Sequence, residues 1–240
     1  MKWLSALLRG KDARRLPALG PELERLIATV REANLTYCGK PKLENLAHAA
    51  RAVVNDGVSG DFLEAGVALG GSAIVLAKIK EPARPLYLYD VFAMIPPPGP
   101  QDGPDAHARY AAIASGRSQG LGGDKYYGYV DDLDEVVRRN LTDYGFAPEQ
   151  HGIHLVPGRF EETLHPPGPA AFAHIDCDWY ESVRVCIERI MPNLSPGGVI
   201  GFDDYSSYSG CRRAVDELLQ SRSDLEVLYR DRSIGLRRRV

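Results

Sequence analysis

The segment Asp61-Phe62-Leu63-Glu64-Ala65-Gly66-Val67-Ala68-Leu69-Gly70-Gly71-Ser72 opens as a short apolar run, breaks at glycine, and resumes as Ala73-Ile74-Val75-Leu76-Ala77-Lys78-Ile79. A short apolar run, a glycine-rich break and a longer apolar stretch predict a strand over 61–67, a tight turn, and a helix over 72–79. Glycine lets the backbone turn sharply and approach a ligand, and the helix start offers free N–H groups. Gly66 and Gly70 stand four apart, unlike the two-residue step of the dinucleotide fingerprint, so a simple turn at Gly66 competes with a ligand loop. Glu64 sits inside the apolar run, where solvation does not explain it, and a cationic or amino group of a ligand is a sensible partner.

Outward from this unit the same alternation recurs. Strand-like 85–89 leads through a long loop to a helix over about 133–144; 153–156 leads to a short helix near Glu161; 171–175 to a helix over 181–193; and 199–202 to a helix over 211–221, before closing strands at 225–230 and 234–238. Upstream, 21–34 and 41–56 show apolar spacing of three and four with proline at each start, and read as helices. Five strand-to-helix alternations followed by two strands predict an α/β, doubly wound sheet whose ligand lies at the carboxyl ends of the strands. Residues 1–56 are expected as an N-terminal helical extension and 57–240 as the main domain, with the apolar face of 1–34 available to a second subunit.

The composition is that of a globular chain: 240 residues, 44 % hydrophobic, 25 % charged, with 29 Lys and Arg against 32 Asp and Glu for a net charge of −3. Such a balance gives no domain-wide positive field, which argues against nucleic acid. No run of 18 apolar residues occurs, and the short apolar start is interrupted at Arg9, so a cytoplasmic, non-membrane protein is expected. Cys38, Cys177, Cys186 and Cys211 form no Cys-x-x-Cys pair and read as reduced thiols. Five prolines and six glycines crowd into 93–125, with helical period only from Ala106 to Ala114, and this stretch reads as a mobile lid. Pro196-Gly197-Gly198 reads as a chain reversal before Asp203.

Two acidic clusters carry the chemistry. His174-Ile175-Asp176-Cys177-Asp178-Trp179-Tyr180 ends one strand and Phe202-Asp203-Asp204-Tyr205 the next. Four carboxylates at neighbouring strand tips repel unless a positive group lies between them. Hard oxygen donors suit Mg²⁺, with Mn²⁺ or Ca²⁺ as alternatives; helix capping by Asp178, Asp203 or Asp204 is the competing reading. Asp90 ends Leu86-Tyr87-Leu88-Tyr89, where such folds hold a ribose, or else it caps the loop.

Together, Glu64-Ala65-Gly66-Val67 with Gly70-Gly71-Ser72, Ile175-Asp176-x-Asp178-x-Tyr180-Glu181-Ser182, Leu194-Ser195-Pro196-Gly197-Gly198, and Asp203-Asp204-Tyr205 followed by Gly210-Cys211-Arg212-x-Ala214-Val215-Asp216 resemble the macrocin O-methyltransferase family, from about Asn34 to Leu219. The resemblance implies a class I methyltransferase (Rossmann-like) fold of about seven mostly parallel strands, S-adenosylmethionine as methyl donor, Mg²⁺ dependence, and sugar hydroxyls as acceptors. It implies metal ligands at Asp176, Asp203 and Asp204 and a general base at Asp178. It places Glu64, Gly66, Gly70, Ser72, Asp90 and Asp176 toward the donor's amino-acid and ribose parts, and Gly158, Arg159 and Phe160 near its adenine. Ala68, Leu69 and the loop after Asp90 depart from the family's usual wording.

The implied chemistry agrees with the residues. Methyl transfer from a sulfonium needs alignment and exclusion of water, while an alcohol needs a lowered pKa and a proton acceptor. A cation held by three Asp keeps positions open for two neighbouring oxygens, so a vicinal diol on a small molecule or glycoside is the natural acceptor. His174 reads as a core histidine, Tyr126-Tyr127-Gly128-Tyr129 as loop packing or a sugar platform, and Trp179 and Tyr180 as acceptor border or buried helix start. An NAD-dependent sugar oxidoreductase or epimerase would share the alternation but lacks a use for the three Asp, and no Tyr-x-x-x-Lys pair is seen; a non-catalytic binding protein is the second rival.

Overall fold

The computed structural model describes residues 18–240. The expectations for residues 1–17, including their part in a subunit contact, lie outside that range.

The chain runs α1 (Pro21–Glu32), α2 (Lys40–Asn55), β1 (Asp61–Ala65), α3 (Gly71–Ile79), β2 (Leu86–Asp90), α4 (Pro104–Ala114), α5 (Leu133–Asp143), α6 (Pro148–His151), β3 (Ile153–Pro157), α7 (Phe160–Thr163), β4 (Ala170–Ile175), α8 (Tyr180–Ile190), β5 (Leu194–Phe202), α9 (Ser209–Ser221), β6 (Leu225–Arg230) and β7 (Ile234–Arg238). The seven strands form one sheet in the order β3-β2-β1-β4-β5-β7-β6, with β7 antiparallel to both its neighbours and every other pairing parallel. The order reverses between β1 and β4, which opens a crevice at their carboxyl ends.

Period-two alternation sends successive residues to opposite faces. Phe62, Phe172 and Val199 pack under α1, α2, α3 and α5 through Ile27, Leu43, Leu46, Ile74 and Val137, all buried. Leu63, Ala65, Ala173, Ile175 and Ile200 meet α8 and α9 on the other face through Val183, Cys186, Cys211 and Val215. The helix α2 earns its place by the spacing Leu43, Leu46, Ala47, Ala50 and Val53, each at most 2 % exposed. Both α1 and α2 therefore share the core of the sheet.

One local expectation changes. Pro196-Gly197-Gly198 does not reverse the chain but lies within β5: register moves from Ala170↔Leu194 to Phe172↔Val199, so β5 carries an excursion of extra residues there. The stretch 93–125 contains the eleven-residue α4, whose first turn starts at Pro104 and whose Ala106 and Ile113 are buried. No described helix is long and apolar enough to cross a membrane.

Candidate active site at the carboxyl edge of the sheet

The turn after β1 comes within van der Waals contact of the tip of β4. A Cβ at Gly66, where φ is +90°, would stand 1.8 Å from the Asp176 carbonyl oxygen, so the two strand ends meet this closely because Gly66 has no side chain. Asp90, at the end of β2, fastens the turn: its Oδ2 accepts from the Val67 N–H at 2.6 Å and the Ala68 N–H at 3.2 Å, and its Oδ1 from the Phe92 N–H at 2.8 Å. Ala68, Phe92 and Asp178, which follow β1, β2 and β4, all hold left-handed φ values of 48°, 48° and 61°. Such backbone costs on the order of 1–3 kcal/mol per residue and concentrates at functional sites.

A cavity of about 260 Å³ opens there, lined among others by Gly66, Asp90, Arg159, Phe160, Asp176 and Asp178, with Ile95, Pro96 and Gly99 across it. Glu64, Gly70, Ser72 and Gly158 do not line it. Gly70 faces Val137, Gly158 faces Thr163, and Ser72 is buried at the start of α3.

Glu64 finds its partner inside the protein. It lies opposite His174 in the β1–β4 register, and His174 Nδ1 stands 2.8 Å from Glu64 Oε1, with both residues buried. Burial pulls the His174 pKa down, but the hydrogen bond and charge of Glu64, with the charges of Asp203 and Asp204, outweigh it and the net direction is up. Glu64 Oε2 remains buried with no partner.

Beside the cavity, the four acids gather. Asp176 and Asp178 have pKa values raised well above the carboxylate range by burial first, then by Asp203 and Asp204 on the former and by Asp204 on the latter. Burial and Asp204 also raise Asp203, with His174 and Lys42 opposing. The positive group that the sequence reasoning required is supplied in part by Lys42, from the first turn of α2: Nζ lies 2.6 Å from Asp203 Oδ2 and 3.7 Å from Asp204 Oδ1. Burial depresses Lys42, yet Asp203 and Asp204 overcome it and the lysine pKa is raised. Cys38 Sγ stands 3.4 Å from Asp176 Oδ2. Neither Cys38 nor Lys42 was singled out from sequence. A signal existed: Lys40 and Lys42 occupy the first turn of α2 with no acid there, against the helix dipole, which points to an external anionic partner.

The 93–125 segment is tied down at several points. Asp102 Oδ1 accepts from the Tyr180 N–H at 2.7 Å, capping α8, and its Oδ2 accepts from the Gly99 N–H at 2.9 Å. Asp105 accepts from the Ser209 N–H and hydroxyl, each at 2.8 Å, at the start of α9. Trp179 Nε1 donates to the Pro96 carbonyl at 2.9 Å. Tyr126 is buried and meets Tyr37, Tyr127 and Tyr129, the arrangement of loop packing.

Comparison with known proteins agrees with this architecture. The model of the macrocin-O-methyltransferase (TylF) family matches residues 24–228. The chain belongs to that family. The chain is similar to the 8-demethyl-8-(2,3-dimethoxy-alpha-L-rhamnosyl)-tetracenomycin-C 4'-O-methyltransferase of Streptomyces olivaceus, 36 % identical over 188 residues, 76 % of this chain and 66 % of that one. The chain spans about two thirds of the length of the curated relatives it matches. Among solved structures, the O-methyltransferase NovP superposes with a TM-score of 0.72 at 24 % identity, covering 93 % of this chain and 100 % of that one. The O-methyltransferase TomG from Streptomyces achromogenes, in complex with SAM, gives 0.56 at 18 % identity, covering 98 % and 93 %. The TylF-family chain thus has the fold of the class I O-methyltransferases.

Proposed function

We propose that this chain transfers a methyl group from S-adenosylmethionine to a hydroxyl of a sugar, a sugar-bearing natural product or a polysaccharide, with a divalent cation, Mg²⁺ in the first instance, held by Asp176, Asp203 and Asp204. The observation that carries the reading is the group of four carboxyls, Asp203 and Asp204 buried and Asp176 and Asp178 half-buried, beside a cavity at the switch point of the sheet, in a member of an O-methyltransferase family.

The residues suit both groups. Three Asp offer hard oxygen donors, and Asp204 Oδ2 is buried with no hydrogen-bond partner, an acceptor in want of a cation. On the donor side, Gly66, Asp90, Asp176, Arg159 and Phe160 face the cavity. When bound, the donor supplies a methyl on a sulfonium leaving group and the cation supplies Lewis acidity that lowers a hydroxyl pKa.

The chain's own residues do the rest. In this reading Asp178, at the cavity wall, takes the acceptor's proton. Its left-handed backbone holds that side chain at the tip of β4, and Trp179, tied to Pro96, closes the lid across the cavity and keeps water out. A cation held by three Asp would have positions open for two neighbouring oxygens of a vicinal diol.

Two measurements test the reading. S-adenosylhomocysteine should raise the melting temperature where NAD does not. Transfer of labelled methyl to sugar diols should cease after exhaustive chelation and return on adding the cation. Stabilisation by NAD alone, or equal turnover after chelation, refutes it.

A further inference from the structure

Among the described residues, Cys38 is the cysteine whose sulfur makes a hydrogen bond to a carboxylate. Cys177, Cys186 and Cys211 sit in the apolar layer with α8 and α9, where a thiol is a small hydrophobe. Cys38, although buried, turns its sulfur toward carboxylates: Sγ lies 3.4 Å from Asp176 Oδ2, and one ligand atom each from Cys38, Asp176 and Asp203 lie within 4.8 Å of one another. Separations of this size suit atoms bound to one ion, with metal–sulfur near 2.3 Å and metal–oxygen near 2.0–2.2 Å.

Local structure fixes the thiol there. The Cys38 N–H donates to Thr36 Oγ1 at 3.0 Å, and the Gly71 N–H donates to the Leu35 carbonyl at 2.9 Å, clamping this turn onto the start of α3. A Cβ at Gly71 would stand 2.5 Å from that carbonyl. A second observation is independent of the cysteine: the Asp204 carboxyl faces those of Asp176 and Asp178, and its Oδ2 is buried with no partner. Lys42 reaches Asp203 and Asp204 from one side and leaves this oxygen unsatisfied.

We propose that Cys38 is a fourth protein ligand of the divalent cation at the Asp176–Asp203–Asp204 cluster, which shifts the preference of the site from Mg²⁺ toward a borderline-soft ion of the Mn²⁺, Co²⁺ or Zn²⁺ class. The inference rests on the reading above that a cation binds at this cluster. Thiolate is a poor ligand for Mg²⁺ and a good one for the later divalent ions, so a sulfur in the set is a device for selectivity. On binding, the S–H bond breaks heterolytically, the electron pair stays on sulfur and is donated to the ion, and the proton leaves to solvent, one per ion bound. Neither oxidant nor reductant is needed.

The test uses the full chain. Co²⁺ titration of the protein should produce a near-ultraviolet thiolate-to-cobalt charge-transfer band that saturates at one ion per chain, and Cys38→Ser and Cys38→Val should both lack it. By calorimetry, Cd²⁺ or Co²⁺ should bind the parent at least about tenfold tighter than either variant, while Mg²⁺ affinity changes by less than about threefold. Circular dichroism and melting confirm that each variant is folded, and loss of the band in a folded variant assigns it to Cys38. Saturable binding without the band, or an unchanged Cd²⁺-to-Mg²⁺ affinity ratio in both variants, overturns the role of Cys38 and leaves the cation reading standing. Absence of any divalent-ion binding, with Asp203→Asn indistinguishable from the parent, overturns the cation reading and this inference with it.

Discussion

Replacing Lys42 by methionine removes the one ammonium that the described residues place among the four acids while keeping most of its volume. Its Nζ is 2.6 Å from Asp203 Oδ2 and 3.7 Å from Asp204 Oδ1, with the lysine side chain only 15 % exposed. At an effective dielectric of about 20, these separations correspond to ~6 and ~4 kcal/mol of attraction before desolvation is subtracted. Stripping one partner from a buried pair costs about 3–5 kcal/mol in practice. Proton uptake by the carboxyls caps the loss, so the lower end, ~3 kcal/mol, is expected, or roughly 6–12 °C in melting temperature for a chain of this size.

The pH dependence has a definite sign. Asp176 and Asp203 already have raised pKa values from burial and mutual repulsion, and loss of Lys42 raises them further. A carboxyl whose folded pKa lies above its unfolded value costs nothing below the unfolded pKa and destabilises progressively as pH rises toward and through the folded pKa. The deficit of Lys42→Met should therefore be small in mild acid and grow toward alkaline pH, and saturating Mn²⁺ or Mg²⁺ should shrink it by restoring positive charge. Scanning calorimetry of both proteins across pH, with chelator and with cation, measures this. A deficit that is the same at every pH and indifferent to the cation refutes the electrostatic account and assigns the lysine to packing alone.

Other perturbations follow from the same geometry. Asp203→Asn should lower methyl transfer by about 10²-fold or more while S-adenosylhomocysteine affinity, read by calorimetry, stays within a few-fold; parallel loss of both would mean that the substitution acts through folding. Asp102→Ala strips the acceptor from the Tyr180 and Gly99 N–H groups, and should cost ~1 kcal/mol as a lost helix cap and speed proteolytic cleavage within 93–103; an unchanged cleavage rate would show that the segment is held elsewhere. Gly66→Ala forces a methyl against the Asp176 carbonyl at 1.8 Å, so denaturant unfolding should report a loss above ~3 kcal/mol.

Much of the architecture was legible in local pattern. The alternation of short apolar runs with helices of spacing three and four reports burial on one or both faces of each element, and that is why the order of β1 to β7 and the place of the acids at the ends of β4 and β5 could be read from the chain. Asp176, Asp178, Asp203 and Asp204 stood out because charge at the end of a buried strand has no local explanation. The excursion at Pro196-Gly197-Gly198 was misread as a reversal because proline and glycine interrupt a ladder equally well as a turn or as a bulge, and only the partner strand distinguishes them.

What the tertiary structure alone decided concerns side chains brought together across distance. Glu64 meets His174 through strand register, 110 residues apart, so one of its oxygens has a partner inside the protein that local sequence could not show, while Oε2 has none. Asp90 gives its oxygens to two backbone N–H groups of the turn after β1 and to one in the loop that follows β2, and Asp102 of the 93–125 segment caps α8. Lys42 and Cys38 belong to α2 and the turn before it, yet they complete an acidic cluster more than 130 residues onward. Periodicity reports which face of an element is buried. It carries no information on which polar groups share that buried space, because their energies depend on distances that exist only once the sheet and the helices above it have assembled.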